Sequence, residues 1–134
     1  MNNEEKKQYL RRYQAAKKRA KMIQEEIDEL RSSKTSPVGL GDGLPHGSGT
    51  SDLSGYAARW DELVRELEAE KEMQMVTYRE IWNQVKKIPN ATEQEVLNRR
   101  YLIGQSWEKI AVEMHYSYRQ IIRIHGEALQ HFSW

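Results

Sequence analysis

The 134-residue sequence predicts an all-α protein, a long antiparallel helical hairpin or coiled coil followed by a C-terminal three-helix module. Three observations carry this. Apolar residues recur every third or fourth position in two long runs, a Gly/Pro-rich stretch separates those runs, and start and stop signals cut residues 92–132 into short segments.

In the first run, Leu10, Tyr13, Ala16, Ala20, Ile23, Ile27 and Leu30 share one helical face, which predicts a helix from about Glu4 to Arg31. The composition changes at Ser32. Residues 32–52 hold five of the eight glycines and two of the three prolines, so they are expected to form a flexible linker. Ser51 and Asp52 offer an N-cap for the second helix, which continues through Tyr56, Trp60, Leu63 and Leu67. The stripe weakens at Glu70 and Lys71, resumes at Gln74, Tyr78, Ile81, Val85 and Ile88, and ends at Pro89. Antiparallel pairing would hide Ile23, Ile27 and Leu30 against Trp60, Leu63 and Leu67. At 1.5 Å per residue the first helix would span roughly 40 Å and the second roughly 55 Å, so the second is expected to overhang. Its last apolar positions, Tyr78, Ile81, Trp82, Val85 and Ile88, would then cover the C-terminal segment or a second chain. The expected division is a hairpin over residues 1–88 and a module over 89–134.

Composition excludes several classes of function. The sequence has no cysteine and only four histidines, which argues against disulfides, thiolate chemistry, structural zinc and any metal or cofactor site. No apolar run is long enough to span a bilayer and no secretory leader is evident, so a cytoplasmic protein without membrane contact is expected. Phosphate-loop, H-E-x-x-H and G-x-S-x-G patterns are all absent, which argues against an enzyme. The net charge of +1 conceals a basic N-terminus: residues 1–34 carry ten Lys/Arg against six acids, whereas residues 92–134 carry five of each. The stretch KKQYLRRYQAAKKRAK could touch a phosphate backbone, but a solvated helix supported by charge pairs is the default reading.

The C-terminal segment has the clearest punctuation. Thr92 and Glu95 read as a capping box for a helix through Val96, Leu97, Arg100 and Tyr101, closed by Gly104. Ser106 is expected to cap a second helix with Trp107, Ile110, Ala111 and Met114 inside, ending at His115 and Tyr116. Ser117 and Gln120 form another capping box, opening a last helix with Ile121, Ile124, Ala128, Leu129 and Phe132 inside. Helix, short turn, helix is an arrangement that places its second helix in the major groove of DNA.

With those residues inside, Tyr118, Arg119, Ile122 and Arg123 point outward near Gln120. Arg119 and Arg123 could each take guanine O6/N7, and Gln120 could take adenine N6/N7. Ile122 could meet a thymine methyl, Tyr118 could stack or touch a phosphate, and the capping Ser117 is counted with the DNA-binding residues. Lys109 and Arg99 are expected to position phosphates, and Arg100 to be structural, paired with a carboxylate such as Glu95.

Residues 95–129, EVLNRRYLIGQSWEKIAVEMHYSYRQIIRIHGEAL, resemble region 4 of the sigma-70 family. Glu95, Leu97, Arg100, Tyr101, Gly104, Ser106, Ile110, Ala111, Ser117, Ala128 and Leu129 stand at the matching places. With its charged N-terminal helix and Gly/Pro stretch, the whole chain is similar to small phage and prophage transcription regulators of the RinA/ArpU type. That resemblance implies sequence-specific binding of double-stranded DNA, control of late or neighbouring genes, and a phage or prophage origin. The segments with which a complete sigma factor recognises the −10 element are absent. The expected assembly is a homodimer or higher oligomer, since a second copy doubles the phosphate contacts of a charge-neutral module. Two alternatives share these features: a DNA-packaging accessory resembling a small terminase subunit, and an adaptor contacting RNA polymerase without reading DNA.

Overall fold

A computed structural model describes the backbone of residues 1–35 and 49–134, and the side chains of 1–33 and 54–134. All its regular elements are helical, with no strand among the described residues. The elements are α1 (Asn3–Thr35), α2 (Gly49–Val85), α3 (Ala91–Leu97) continued by a π-helical turn (Asn98–Ile103), α4 (Trp107–Met114) and α5 (Tyr118–His131). The expected linker is therefore shortened at both ends. Residues 32–35 remain helical, and α2 begins at Gly49, ahead of the expected caps Ser51 and Asp52. The rest of the linker lies outside the described residues.

The contacts divide the chain into two units. One, residues 17–72, is the antiparallel pairing of the second half of α1 with the first half of α2. Ala20, Ile27 and Leu63 are buried along its seam, and Ile23, Leu30, Trp60 and Leu67 are half-buried. Arg19 meets Glu70, Arg59 meets Glu26, and the Arg31 guanidinium lies over the Trp60 ring. From Arg19 to Glu26 on α1 the ion-pair partner on α2 steps back from Glu70 to Arg59, as antiparallel pairing requires. Glu70, at the polar interruption, is thus occupied by an exposed ion pair across the helices, worth at most about 1 kcal/mol.

The other unit comprises residues 1–16 and 73–134, and here the expected boundary at 88/89 gives way. Leu10 of α1 and Ile81, Val85 and Ile88 share one core with Leu97, Tyr101, Leu102, Ala128, Leu129 and Phe132. The helices α1 and α2, with 33 and 37 residues, are nearly matched in length, so the expected overhang does not arise. Instead the first turns of α1 and the last turns of α2 together receive the C-terminal helices. Trp82 packs against that core, whereas Tyr78 stays 41% exposed with its ring edge on Tyr13. A smaller cluster, Val96, Ile110, Ala111, Ile121 and Ile124 with Trp107 and Met114, forms the interior of the helix-turn-helix. Each fully buried Leu or Ile contributes roughly 1.5–3 kcal/mol.

Local chemistry explains the breaks between the short helices. The α3 cap is Asn90, whose Oδ1 accepts the Glu93 N–H at 3.1 Å, and not the expected Thr92. Asn90 directly follows Pro89, so the extended cap residue comes two positions earlier and Thr92 falls inside the helix. Glu95 is correspondingly free to meet Arg99. Gly104, at φ +89°, ends the π-helical turn, and its N–H donates to Arg99 O at 3.0 Å. Gln14 Nε2 donates to the Leu102 and Tyr101 carbonyls at 3.0 and 3.3 Å, covering this frayed end. A Cβ at Gly104 would come within 3.1–3.2 Å of the Gln14 amide, so both the backbone sign and the space favour glycine.

Candidate nucleic-acid interface

α4 and α5 are joined by His115, Tyr116 and Ser117. Ser106 caps α4 as expected, its Oγ accepting the Lys109 N–H at 3.2 Å. His115 then adopts φ +61°, ψ +39°, the left-handed stop usually given to glycine or asparagine. The Tyr116 N–H returns to Ala111 O at 3.0 Å and the His115 N–H to Val112 O at 3.3 Å, which closes α4 and turns the chain toward α5.

The start of α5 is fixed by the expected capping box. Ser117 Oγ accepts the Gln120 N–H at 3.1 Å, and Gln120 Oε1 accepts the Ser117 N–H at 2.8 Å. Both ends of the first turn are thereby held, and with them the directions of Tyr118 and Arg119. Because Gln120 Oε1 is engaged, its free donor is the Nε2 amide, which suits a single acceptor such as a phosphate or a base carbonyl. The expected two-point contact with adenine would have to share Oε1 with the Ser117 N–H through its second lone pair.

Ile121, Ile124, His125, Ala128 and Leu129 face inward from α5. Tyr118, Arg119, Ile122 and Arg123 face outward, with Tyr118 49% and Ile122 38% exposed. Ser117, Arg119, Gln120, Ile122 and Arg123 together line a shallow open depression. Among the described residues no hydrogen bond or ion pair engages the Arg119 guanidinium. Arg123 meets Glu127 one turn along at 3.3 Å, with the two side chains 64% and 50% exposed, a solvated pair that a phosphate or base edge can readily replace. The Lys109 ammonium is also exposed on α4.

Arg99 departs from its expected role. Its Nε donates to Glu95 at 2.7 Å, and its Nη1 meets Glu113 of α4 and Gln105 Oε1. Gln105 also donates to Glu113 at 3.0 Å. The Gln105 hydrogen bond, with Arg99 and Lys109 adding to it, holds the Glu113 carboxyl below the usual range. The Glu95 hydrogen bond correspondingly raises Arg99. With two carboxylates on it, Arg99 braces the π-helical turn against α4 and has little left for a phosphate. Arg100 is structural as expected, but without a carboxylate: it donates to Gln105 O at 3.1 Å and lies 4.4 Å over the Trp107 ring.

Behind the outward face lies His125, which the sequence suggests is a packing or surface residue and not a ligand. It is 7% exposed, and its Nε2 shares a 2.8 Å hydrogen bond with Tyr101 Oη while its ring meets the Trp107 edge at 4.6 Å. Burial lowers the imidazole to about 4, with the nearby cations Lys7, Arg100 and Arg11 adding to the effect. Burial likewise raises the Tyr101 phenol. A neutral imidazole therefore joins α5, α4 and the π-helical turn. The signal lay in the spacing, for residue 125 stands four after Ile121 and four before Leu129 on the buried face.

Among the described residues, no group of three or more His, Cys, Asp or Glu side chains could hold a metal, and no helix is long and apolar enough to cross a membrane. Comparison with protein-family models, with curated proteins and with solved structures finds no match to this chain.

Proposed function

We propose that this protein binds double-stranded DNA sequence-specifically through α5 and acts as a transcription regulator. The observation that carries the reading is the exposed pair Arg119 and Arg123, one turn apart on a helix whose start is locked by Ser117 and Gln120. Two guanidinium groups at that spacing match the forked geometry of guanine edges in the major groove. Lys109 serves as a phosphate contact, and Tyr118 and Ile122 supply apolar surface to the groove. Arg99 is left out of the contact set for the reason given above.

The resemblance to sigma-70 region 4 supports the same assignment, and that to RinA/ArpU-type regulators favours a phage or prophage gene that controls its neighbours. A homodimer suits the module's neutral charge, since two readers double the phosphate contacts.

The test is a mobility-shift titration at several salt concentrations on DNA flanking the gene, comparing the wild type with Arg119→Ala/Arg123→Ala. The double variant should keep its helical circular dichroism, because both side chains are exposed, and lose about 1–3 kcal/mol of discrimination per arginine. Unchanged DNA retention by the double variant would sink the reading.

A further inference from the structure

We propose that Gly126 is the point of closest approach between α5 and the duplex, an inference that rests on the DNA-binding reading. Gly126 is the ninth residue of a 14-residue helix, where glycine is the least favourable residue apart from proline. Among the described residues nothing asks for it. Its φ is not positive, unlike that of Gly104, and an added Cβ would meet nothing within 4 Å. Alanine would fit the fold and strengthen the helix, so the missing side chain makes sense only toward something outside the protomer.

Its position indicates what that is. Arg119 and Gly126 each lie three or four residues from both Ile122 and Arg123, so the four share one helical face, on the side opposite Ile121, Ala128 and Leu129. Gly126 thus continues the line of Arg119 and Arg123, and leaves a notch between the Arg123 and Ile122 side chains on one side and the helix end on the other. A helix lying in a groove with its arginines toward the bases brings this backbone against the groove, where any side chain would hold it away. Gly55 of α2 has similar free space, but Arg59, one turn on, is tied across the hairpin to Glu26, whereas among the described residues Arg123 meets only Glu127 of its own helix and Arg119 has no partner. The flanking cations favour a polyanion, which attracts the unpaired Arg119 and competes with the exposed Glu127 for Arg123.

The experiment uses the full chain and a random-sequence duplex library from which the wild type has selected its preferred sites. Gly126→Ala and Gly126→Leu are compared with the wild type and with Arg119→Ala/Arg123→Ala for affinity, melting temperature and solution mass. Both glycine variants should melt at or above the wild-type temperature. Affinity should fall several-fold for Gly126→Ala and at least about tenfold for Gly126→Leu. If the wild type selects DNA and the arginine variant loses it while Gly126→Leu binds as tightly as the wild type, the inference falls and the reading stands. A change in solution mass with unaltered affinity would overturn it in favour of contact between copies. A wild-type chain that selects no sequence overturns both.

Discussion

The Lys6 ammonium, near the start of α1, donates to the Leu129 carbonyl near the end of α5 at 2.6 Å. Lys6 is only 9% exposed, so this is a cation placed in the interior at the negative end of a helix. It satisfies one of the terminal carbonyls of α5 while its stem packs beside the Leu10 core. The two ends of the chain are thus tied together, and the anchor sits at the far end of the helix that carries Arg119 and Arg123. Lys6→Met would keep the packing volume and leave the Leu129 carbonyl unpaired. The expected cost is about 1–3 kcal/mol, read as a lower urea midpoint at unchanged m-value.

The shared core has a second consequence, for fragments. Residues 89–134 read in sequence as a free-standing module, because caps and breakers surround each of its helices. Yet Leu97, Tyr101, Leu102, Ala128, Leu129 and Phe132 bury themselves against Leu10, Ile81, Val85 and Ile88. Removing residues 1–88 would expose that face and forfeit roughly 1.5–3 kcal/mol for each large side chain laid bare, against a total stability of about 5–15 kcal/mol for an ordinary domain. The isolated fragment should show little cooperative unfolding by circular dichroism. A fragment melting as sharply as the whole chain would contradict this account.

That contrast also shows which parts of the fold were legible in the sequence. Ser106, Ser117 and Gln120 could be read because capping is local: a hydroxyl or amide bonds a backbone group three residues away whatever the rest of the chain does. The inward face of α5 was legible for a similar reason, through its periodicity. Thr92 was misread because Asn90 and Thr92 are both good caps, and the choice depends on how α2 ends at Pro89. The engagement of Arg99 was not legible because Glu113 reaches it only after α4 folds back, a contact across fourteen residues that no spacing rule reveals. The place of Leu10 in the C-terminal core is longer-range still, and an amphipathic stripe cannot state which of several apolar faces it will meet.

The turn between α4 and α5 offers a substitution that should improve stability. His115 holds a left-handed conformation that costs a residue with a Cβ roughly 1 kcal/mol relative to glycine. Its side chain is exposed, so little packing would be lost. His115→Gly should raise stability by about 0.5–1 kcal/mol, while β-branched His115→Val should lower it by more than that. Thermal melts of the two variants bracketing the wild type would confirm the strain. The reverse order would mean that the imidazole makes a contribution the geometry does not reveal.

His125 makes stability depend on pH in a defined direction. Unfolded, its imidazole takes a proton near 6.5; folded, it resists until about 4, first because it is buried and then because Lys7, Arg100 and Arg11 stand near it. The folded state therefore binds fewer protons between those two values. Stabilisation is complete above about pH 6.5 and is lost as the pH falls toward 4, with a full span on the order of 3 kcal/mol. Acidification would disconnect Tyr101, Trp107 and α5 together, loosening the helix that presents Arg119 before the rest of the chain unfolds. His125→Gln keeps a hydrogen-bonding group toward Tyr101 but cannot titrate. Urea midpoints measured from pH 7 to 4.5 should fall more steeply for the wild type than for this variant, with carboxylate protonation common to both. Parallel curves would show that His125 is already protonated, or free to become so, in the folded protein.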